Sequence, residues 1–587
     1  MFFVDSAASW SAEDVNLLPS EPTVLVFDDA HRRPDLDRII AACEQHNRNI
    51  RCVVSCRPSA VGIVIPLLGQ LSSGDLAEIE LPALSKKDAE ALARHYLGAP
   101  LQHLAERLVN IADRNPLVVR VGAQCIADKL VVPEMLERTP EAFRRLVLDR
   151  LLADPALSAT DATARRQVLE VIAAIGPVVT ENNELIAQLA TIVNLPDYEV
   201  RRLLASLERS QFLIRRGRLV RVSPDVLADH LLYKAAVDET GKPTGFIDSM
   251  VALFRQSLEN ILGNAAELDW RSATTAPGSE PVLSAIWRDL LSFLPRASNR
   301  VRTELVGQLK RAAIFAPAEV LEICEWLVEH RDAPKDDLLS EWGLEDTPNR
   351  LTEAVTDIVA VIASHRDFTG RCAAQLWILG ALDERPLNPH PSHPRRRLAD
   401  LGKYERRSDW ERPDGAHARA IEFLIARLRD RSRSESAPWA VSALANALQR
   451  TGEANEWNRR VFTLRECSLA RFAHDLGDRR RAVIQCLKDI ALGSKLDEAA
   501  MALGELGALL RAPRGPFGRG LDPEEISVWQ PEAESAISLL QAIATSAESD
   551  VVRYLARREV RSVHPRSLAS HTSRRPPGID RYPASTE

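Results

Sequence analysis

Two adjacent carboxylates, Asp28 and Asp29, close the run Thr23-Val24-Leu25-Val26-Phe27 and carry the clearest chemical potential in this sequence. Such a pair can divide the work of phosphoryl transfer. The first acid holds a magnesium ion, usually through water, and the second orients or polarises the attacking water. The preceding run has no polar face, so it suits a strand buried on both sides, as in a parallel sheet. Ligands of such sheets gather at the carboxyl ends of the strands, where the two acids fall. The bland alternative for the same string is a strand followed by a polar turn.

Arg57 is the next candidate. Pro34–His46 has helical spacing, with Leu36, Ile39, Ile40 and Cys43 on one face. Ile50–Ser55 then reads as a second short strand leading into Cys56-Arg57-Pro58-Ser59. Strand, helix and strand in this order make a right-handed βαβ unit, which sets Arg57 at the sheet edge beside Asp28 and Asp29. A fixed cation there can contact a γ-phosphate and sense its loss, or it can simply pair with the two acids. Further on, Leu81-Pro82-Ala83-Leu84-Ser85 leads into a helix capped by Ser85, with Asp88 at the capping-box position. Ala112-Asp113-Arg114-Asn115-Pro116-Leu117 follows.

Taken as a series, these segments resemble the second half of the nucleotide-binding module of the STAND class of signal-transduction ATPases, which includes the NB-ARC and NACHT families. In that class the Walker B strand is followed by a strand ending in a sensor arginine. A helix and then a Gly-x-Pro-Leu segment, whose proline lies against adenine, come next. Asp28, Asp29, Arg57 and Pro116 match those positions. The resemblance covers about residues 20–235, and the wording Asp28-Asp29-Ala30-His31-Arg32-Arg33-Pro34 is similar to large bacterial members, many of which act in defence against phage. It implies ATP and Mg2+ as cofactors. Asp28 would be the metal ligand, Asp28 and Asp29 the catalytic acids, and Arg57 and Pro116 nucleotide contacts.

Two departures accompany the match. Arg114 stands at the glycine of the Gly-x-Pro motif. The phosphate cradle G-x-x-x-x-G-K-[ST] is missing, since Gly241-Lys242 is followed by Pro243 and no glycine lies five residues before Gly241. In the class that loop lies well before Walker B. The expectation is therefore a chain that begins inside a domain, through a misplaced start, a split gene or decay. As written, it should bind nucleotide poorly.

Thr163–Tyr233 reads as a winged helix, with helices at Thr163–Ala174, 184–193 and Asp197–Arg209, the last burying Val200, Leu203, Leu204 and Leu207. Phe212–Val222 alternates around Gly217 as a hairpin wing. Asp197–Arg221 carries seven arginines against three acids, the balance duplex DNA binding needs. In the STAND class this fold is instead an internal regulatory domain over the nucleotide, and both readings stay open. Ser223-Pro224-Asp225 lies where NB-ARC proteins carry Met-His-Asp. Asp225 matches there as a nucleotide-site residue, and Pro224 replaces the histidine.

Beyond Thr240 apolar stripes at helical spacing continue to Val551–Val560, among them Phe246–Leu262, Ala318–Glu329, Cys372–Leu382, Val461–Phe472 and Leu496–Leu510. Paired amphipathic helices over such a length indicate an α-solenoid of HEAT or TPR type. Nine of the ten tryptophans lie here, as core residues or as anchors for a partner. Pro386–Pro394 and Pro513–Pro523 read as loops or joints, His390 and His393 are too few for a metal site, and Arg395-Arg396-Arg397 with Arg406-Arg407 reads first as a solvated loop and second as a contact for phosphate or nucleic acid. Ser567–Glu587 reads as a disordered tail or out-of-frame sequence.

The expected class is mainly α with a partial α/β nucleotide-binding core, then helical lid, winged helix and α-solenoid. The boundaries are a core with Walker B and sensor strands at 1–82, a lid at 83–150, a winged helix at 151–235, a helical-repeat sensor arm at 236–566 and a tail at 567–587. A net charge of −7 gives no global pull toward nucleic acid, so DNA contact would have to be local, through 197–221. The longest apolar stretch, Val61–Leu71, is too short to span a membrane, and Met-Phe-Phe-Val does not make a leader. Eight scattered cysteines suit reduced thiols in a cytoplasm. No Gly-x-Ser-x-Gly elbow or HExxH appears, which argues against a hydrolase of either kind.

The first functional reading is the C-terminal part of a STAND-type ATP-binding signalling or defence protein. Its repeats sense a protein partner, and its intact form can self-associate. The alternatives are a non-enzymatic winged-helix transcription regulator and a degenerate scaffold.

Overall fold

In the computed structural model the run ahead of Asp28 is the central strand of a parallel sheet in the order β1-β2-β3, at Phe2–Val4, Thr23–Phe27 and Ile50–Val54. The structure describes residues 2–4, 18, 21–28, 30, 36, 39, 50–56, 64, 79, 84–112, 116–129, 136, 159–210, 212–223, 225–275, 280–336, 348–383, 392–404, 415–430, 432–458, 461–511 and 523–562. Asp29, Arg57, Arg114, Pro224, His390, Arg406, Arg407 and the tail from Ser567 lie outside them. Thr23, Leu25 and Phe27 are buried, while Val24 and Val26 are half-buried. Leu36 and Ile39 are helical and buried, as their spacing predicts. Phe2–Val4, read from the sequence only for its unsuitability as a leader, pairs parallel with Leu25–Phe27.

The β2–β3 register runs from Thr23 opposite Ile50 to Phe27 opposite Val54. It continues past the strand ends, because Ser55 N–H donates to the Phe27 carbonyl and Ala30 N–H to the Ser55 carbonyl, both at 2.8 Å. The residues after the two strands therefore remain side by side. That is where chemistry is expected on a parallel sheet.

The chain divides into two units, one of Met1–Val64, Ala77–Ile323 and Asp332–Asp346, the other of Ile65–Leu76, Cys324–Arg331 and Thr347–Glu587. In the first, helix Lys86–Leu97 starts where expected. Ser85 Oγ accepts from Asp88 N–H at 3.1 Å and donates to the Asp88 carboxylate at 2.6 Å. Its buried stripe Ala89, Ala93 and Leu97 packs on Leu108, Val119 and Ile126 from helices Ala105–Ile111 and Pro116–Ala127.

Ala159–Ile175, Asn183–Val193 and Asp197–Arg209 form three helices. A three-stranded antiparallel sheet in the order β4-β6-β5 accompanies them, at Val178–Val179, Leu219–Val222 and Leu213–Arg216. Val200, Leu204 and Leu207 are buried and Leu203 is half-buried. Gly217, at φ +58°, opens the two-residue turn between β5 and β6. A left-handed residue there matches the twist of the flanking strands, and glycine adopts it without a Cβ clash.

In the second unit several buried or half-buried arginines satisfy the carbonyls that helix ends leave open, a pairing favoured by the negative C-terminal end of each helix dipole. Arg395 Nε and Nη2 donate to the carbonyls of Gly380 and Asp383 at 2.7 and 2.6 Å, closing helix Thr369–Leu382. Arg480 donates to those of Gln449 and Leu448 at 2.7 and 2.9 Å, and Arg450 to that of Leu509 at 2.5 Å. This corrects the reading of Arg395-Arg396-Arg397 as a solvated loop. The segment is helix Pro394–Leu401, opened by proline at its first position and capped by His393, whose Nδ1 accepts from Arg395 N–H at 3.2 Å.

Two other expectations change. Val461–Phe472 is not one helix: Val461–Ser468 is strand β8, paired antiparallel with β7 at Thr451–Asn458, and only Ala470–Phe472 is helical, as a short 3-10 turn. The β-branched Val461 and Thr463 and the aromatic Phe462 suit a strand once a partner is present, and the partner is what the local pattern lacked. Phe246–Leu262 is two helices, Phe246–Leu253 and the start of Leu258–Thr275, separated at the buried Phe254. Trp287, Trp377 and Trp529 are buried, and Trp270, Trp326 and Trp439 half-buried, so these six serve packing rather than an open surface. The protein is mainly helical, and none of its described helices is long and apolar enough to cross a membrane.

Candidate functional site

The C-terminal ends of β2 and β3 bring Asp28 and Ser55 together, and Ser55 Oγ donates to Asp28 Oδ1 at 2.5 Å. The other oxygen meets the β5–β6 hairpin. Arg216 Nη1 lies 2.6 Å from Asp28 Oδ2, and Arg221 Nη2 donates to that oxygen at 3.3 Å. Arg221 Nη1 in turn lies 3.6 Å from Asp225 Oδ1, at the first turn of helix Asp225–Ala236, where a carboxylate also complements the helix dipole. The site is a relay of alternating charge, Ser55–Asp28–Arg216 and Arg221–Asp225. The Asp28 side chain is 30% exposed and that of Arg221 16%, so the pairs are partly shielded from water.

Strand register explains why these two arginines act together. Arg216 pairs with Leu219 and Ile214 with Arg221, so Ile214, Arg216, Leu219 and Arg221 share one face of the hairpin. Leu213, Val220 and Val222 on the other face are buried. Arg215, also on that second face, reaches the rim instead, holding Glu208 at 2.7 Å and Glu181 at 2.6 Å. Its cationic form is favoured first by the hydrogen bonds it donates to Glu208, against the cost of burial.

Of the residues singled out in the sequence, Asp28 and Asp225 therefore belong to one constellation, joined through Arg221. Pro116 is exposed at the first position of helix Pro116–Ala127. Asp29 and Arg57 lie outside the described residues. Ser55, Arg216 and Arg221 were missed as partners of Asp28. Alternation about Gly217 shows that the two arginines share a face, but nothing local points to a carboxylate 193 residues away.

A magnesium ion at Asp28 does not fit this arrangement. Oδ1 accepts the serine hydroxyl, and Oδ2 is covered by two guanidinium groups that a divalent cation would repel. No group of three or more His, Cys, Asp or Glu among the described residues could hold a metal ion.

The seven arginines of 197–221 are largely committed as well. Besides Arg215, Arg216 and Arg221, Arg202 pairs with Glu199 at 2.6 Å, Arg201 donates to Asn183 Oδ1 at 2.8 Å and Arg209 donates to the Ala205 carbonyl at 3.3 Å. No protein-family model matches this chain, and no curated protein matches it.

Proposed function

We propose that this chain is the switch and sensor of an ATP-binding signalling or defence protein of the STAND class. In this reading 1–82 is a partial P-loop core, 83–150 its lid, 151–235 a winged helix and 236–566 a helical-repeat arm that senses a protein partner. The order helix, strand, helix, helix, hairpin between Ala159 and Val222 supports the winged helix.

The observation that carries the reading is the seating of the hairpin arginines on Asp28, the acid at the carboxyl end of the central strand. That contact gives the module a resting position, and its release supplies a second one. A switch needs two such discrete arrangements. Pro116, exposed at a helix start, is open to an adenine ring, as the resemblance implies. Lacking the G-x-x-x-x-G-K-[ST] cradle, the chain is expected to bind ATP weakly and to show no detectable turnover. The internal use of the hairpin arginines weighs against the DNA-reading alternative, which nothing in the geometry favours.

Light scattering on the full chain tests the proposal. The wild type should remain at one mass. Arg216→Gln with Arg221→Gln, which frees the hairpin, should shift the population to a larger assembly. Equal masses for the two proteins, with and without ATP, would refute the switch.

A further inference from the structure

Helix Asp550–Ser562 is the last of the described helices, and its two faces differ in kind. Val552, Ala556 and Glu559 are buried against helices Leu496–Ala508 and Pro523–Ser546. Gly507 leaves the space that Glu559 fills, since a Cβ there would lie 2.6 Å from Oε2. The opposite arc exposes Val551, Tyr554, Arg557, Arg558 and Arg561. Helical spacing sets Tyr554, Arg557 and Arg561 in one stripe. Arg553 pairs with Asp550, and Arg558 with Glu559 at 2.8 Å. Arg557 and Arg561 have no ion-pair partner among the described residues, and the Tyr554 ring, 66% exposed, has no ring contact there. The two helices beneath contain no lysine or arginine, so the positive charge here belongs to this one helix.

A cationic stripe with an exposed ring suits a polyanion whose every repeat carries both a charge and an aromatic face. We infer that this outer arc binds single-stranded nucleic acid, with Arg557 and Arg561 on phosphates and Tyr554 stacked on an adjacent base. One helical turn sets the two arginines about 6 Å apart along the axis, within reach of neighbouring phosphates of one strand. A duplex fits less well. A recognition helix enters the major groove bodily, whereas this helix is held along its inner face by two others. Bases inside a duplex are already stacked on one another and offer Tyr554 no open face. A membrane surface needs a broad apolar face, but Val552 and Ala556 are buried and leave only Val551 and Tyr554 outside. An acidic peptide would satisfy the arginines and leave the ring unused. The inference goes beyond the switch proposed above and does not depend on it.

The experiment measures the anisotropy of a labelled oligothymidylate with the full chain over a range of salt. Each neutralised phosphate of a single strand contributes about −0.7 to the log–log salt slope, so two should give about −1.4. Arg557→Gln with Arg561→Gln should flatten the slope toward zero. Tyr554→Ala should weaken binding about tenfold at unchanged slope, and Tyr554→Phe should keep the wild-type affinity. These side chains are exposed, so the variants should unfold at the wild-type urea midpoint. Photocrosslinks from 4-thiothymidine in the strand should fall within 550–562. Arg201→Gln with Arg202→Gln, on helix Asp197–Arg209, should change nothing. Loss of binding in that pair instead would overturn the inference, as would no binding at low salt or an affinity that Tyr554→Ala does not lower. So would equal competition by a duplex of the same sequence, by polyglutamate or by anionic lipid vesicles, the last two marking an acidic-peptide or a membrane surface.

Discussion

His417 should make the second unit acid-labile in a way that one substitution removes. It is 3% exposed, at the start of helix Ala416–Arg429. Arg479 Nη1 lies 2.9 Å from Nδ1, the Gly402 carbonyl lies 3.0 Å from Nε2, and the Tyr404 ring packs 4.5 Å away, centroid to centroid. An arginine can only donate, so Nδ1 accepts and the ring proton sits on Nε2, giving to the carbonyl. A second proton would have to occupy Nδ1, against a guanidinium and in a buried site. Burial first, and the Arg479 charge second, push the imidazole down from 6.5 to about 3.

The folded chain therefore refuses a proton that the unfolded chain accepts below about pH 6.5. Stability is present above that value and falls with acid by up to about 1.4 kcal/mol per pH unit, until the folded form itself titrates. Integrated from pH 7 to pH 5, the cost is about 2 kcal/mol. Urea unfolding of wild type and His417→Gln at both pH values measures it. Wild type should lose about 2 kcal/mol more than the variant over that interval, whatever the other groups contribute to both. Parallel losses, or a His417 resonance that titrates near 6.5 in the folded protein, would refute the argument.

Other outcomes follow from the same contacts. Arg433 and Glu498, at 2% and 4% side-chain exposure, form a two-point pair at 2.6 and 2.5 Å. Glu498→Gln strands a buried guanidinium and should cost about 3–5 kcal/mol of unfolding free energy; a loss under 1 kcal/mol, an order-of-magnitude threshold for exposed pairs, would mean the site is wetter than its burial indicates. Ser85→Ala should destabilise helix Lys86–Leu97 by about 1 kcal/mol, read as faster amide exchange over its first turn. Duplex DNA should bind weakly, with a log–log salt slope shallower than about −2. A slope near about −3.6, flattened by Arg216→Gln and Arg221→Gln, would restore the DNA-reading alternative.

Local rules in the sequence determined much of this protein. The Ser85 cap, the stripe Val200, Leu204 and Leu207, and the turn at Gly217 each depend on residues a few positions apart, where helix period and backbone sterics act directly. The apolar run before Asp28 likewise sufficed to indicate a strand of a parallel sheet. Tertiary structure decided what Asp28 does. Its distance in sequence from Arg221 is 193 residues, and an ion pair has no periodicity by which a sequence could announce its partner. The same reason separates the arginines at 395–397, which look like any solvated run until the end of helix Thr369–Leu382 supplies carbonyls to cap. It also separates Val461–Ser468, whose pattern became a strand only because Thr451–Asn458 lies beside it. Helices are written in near neighbours, whereas strand pairs, buried charges and caps from afar are settled only when the chain folds back on itself.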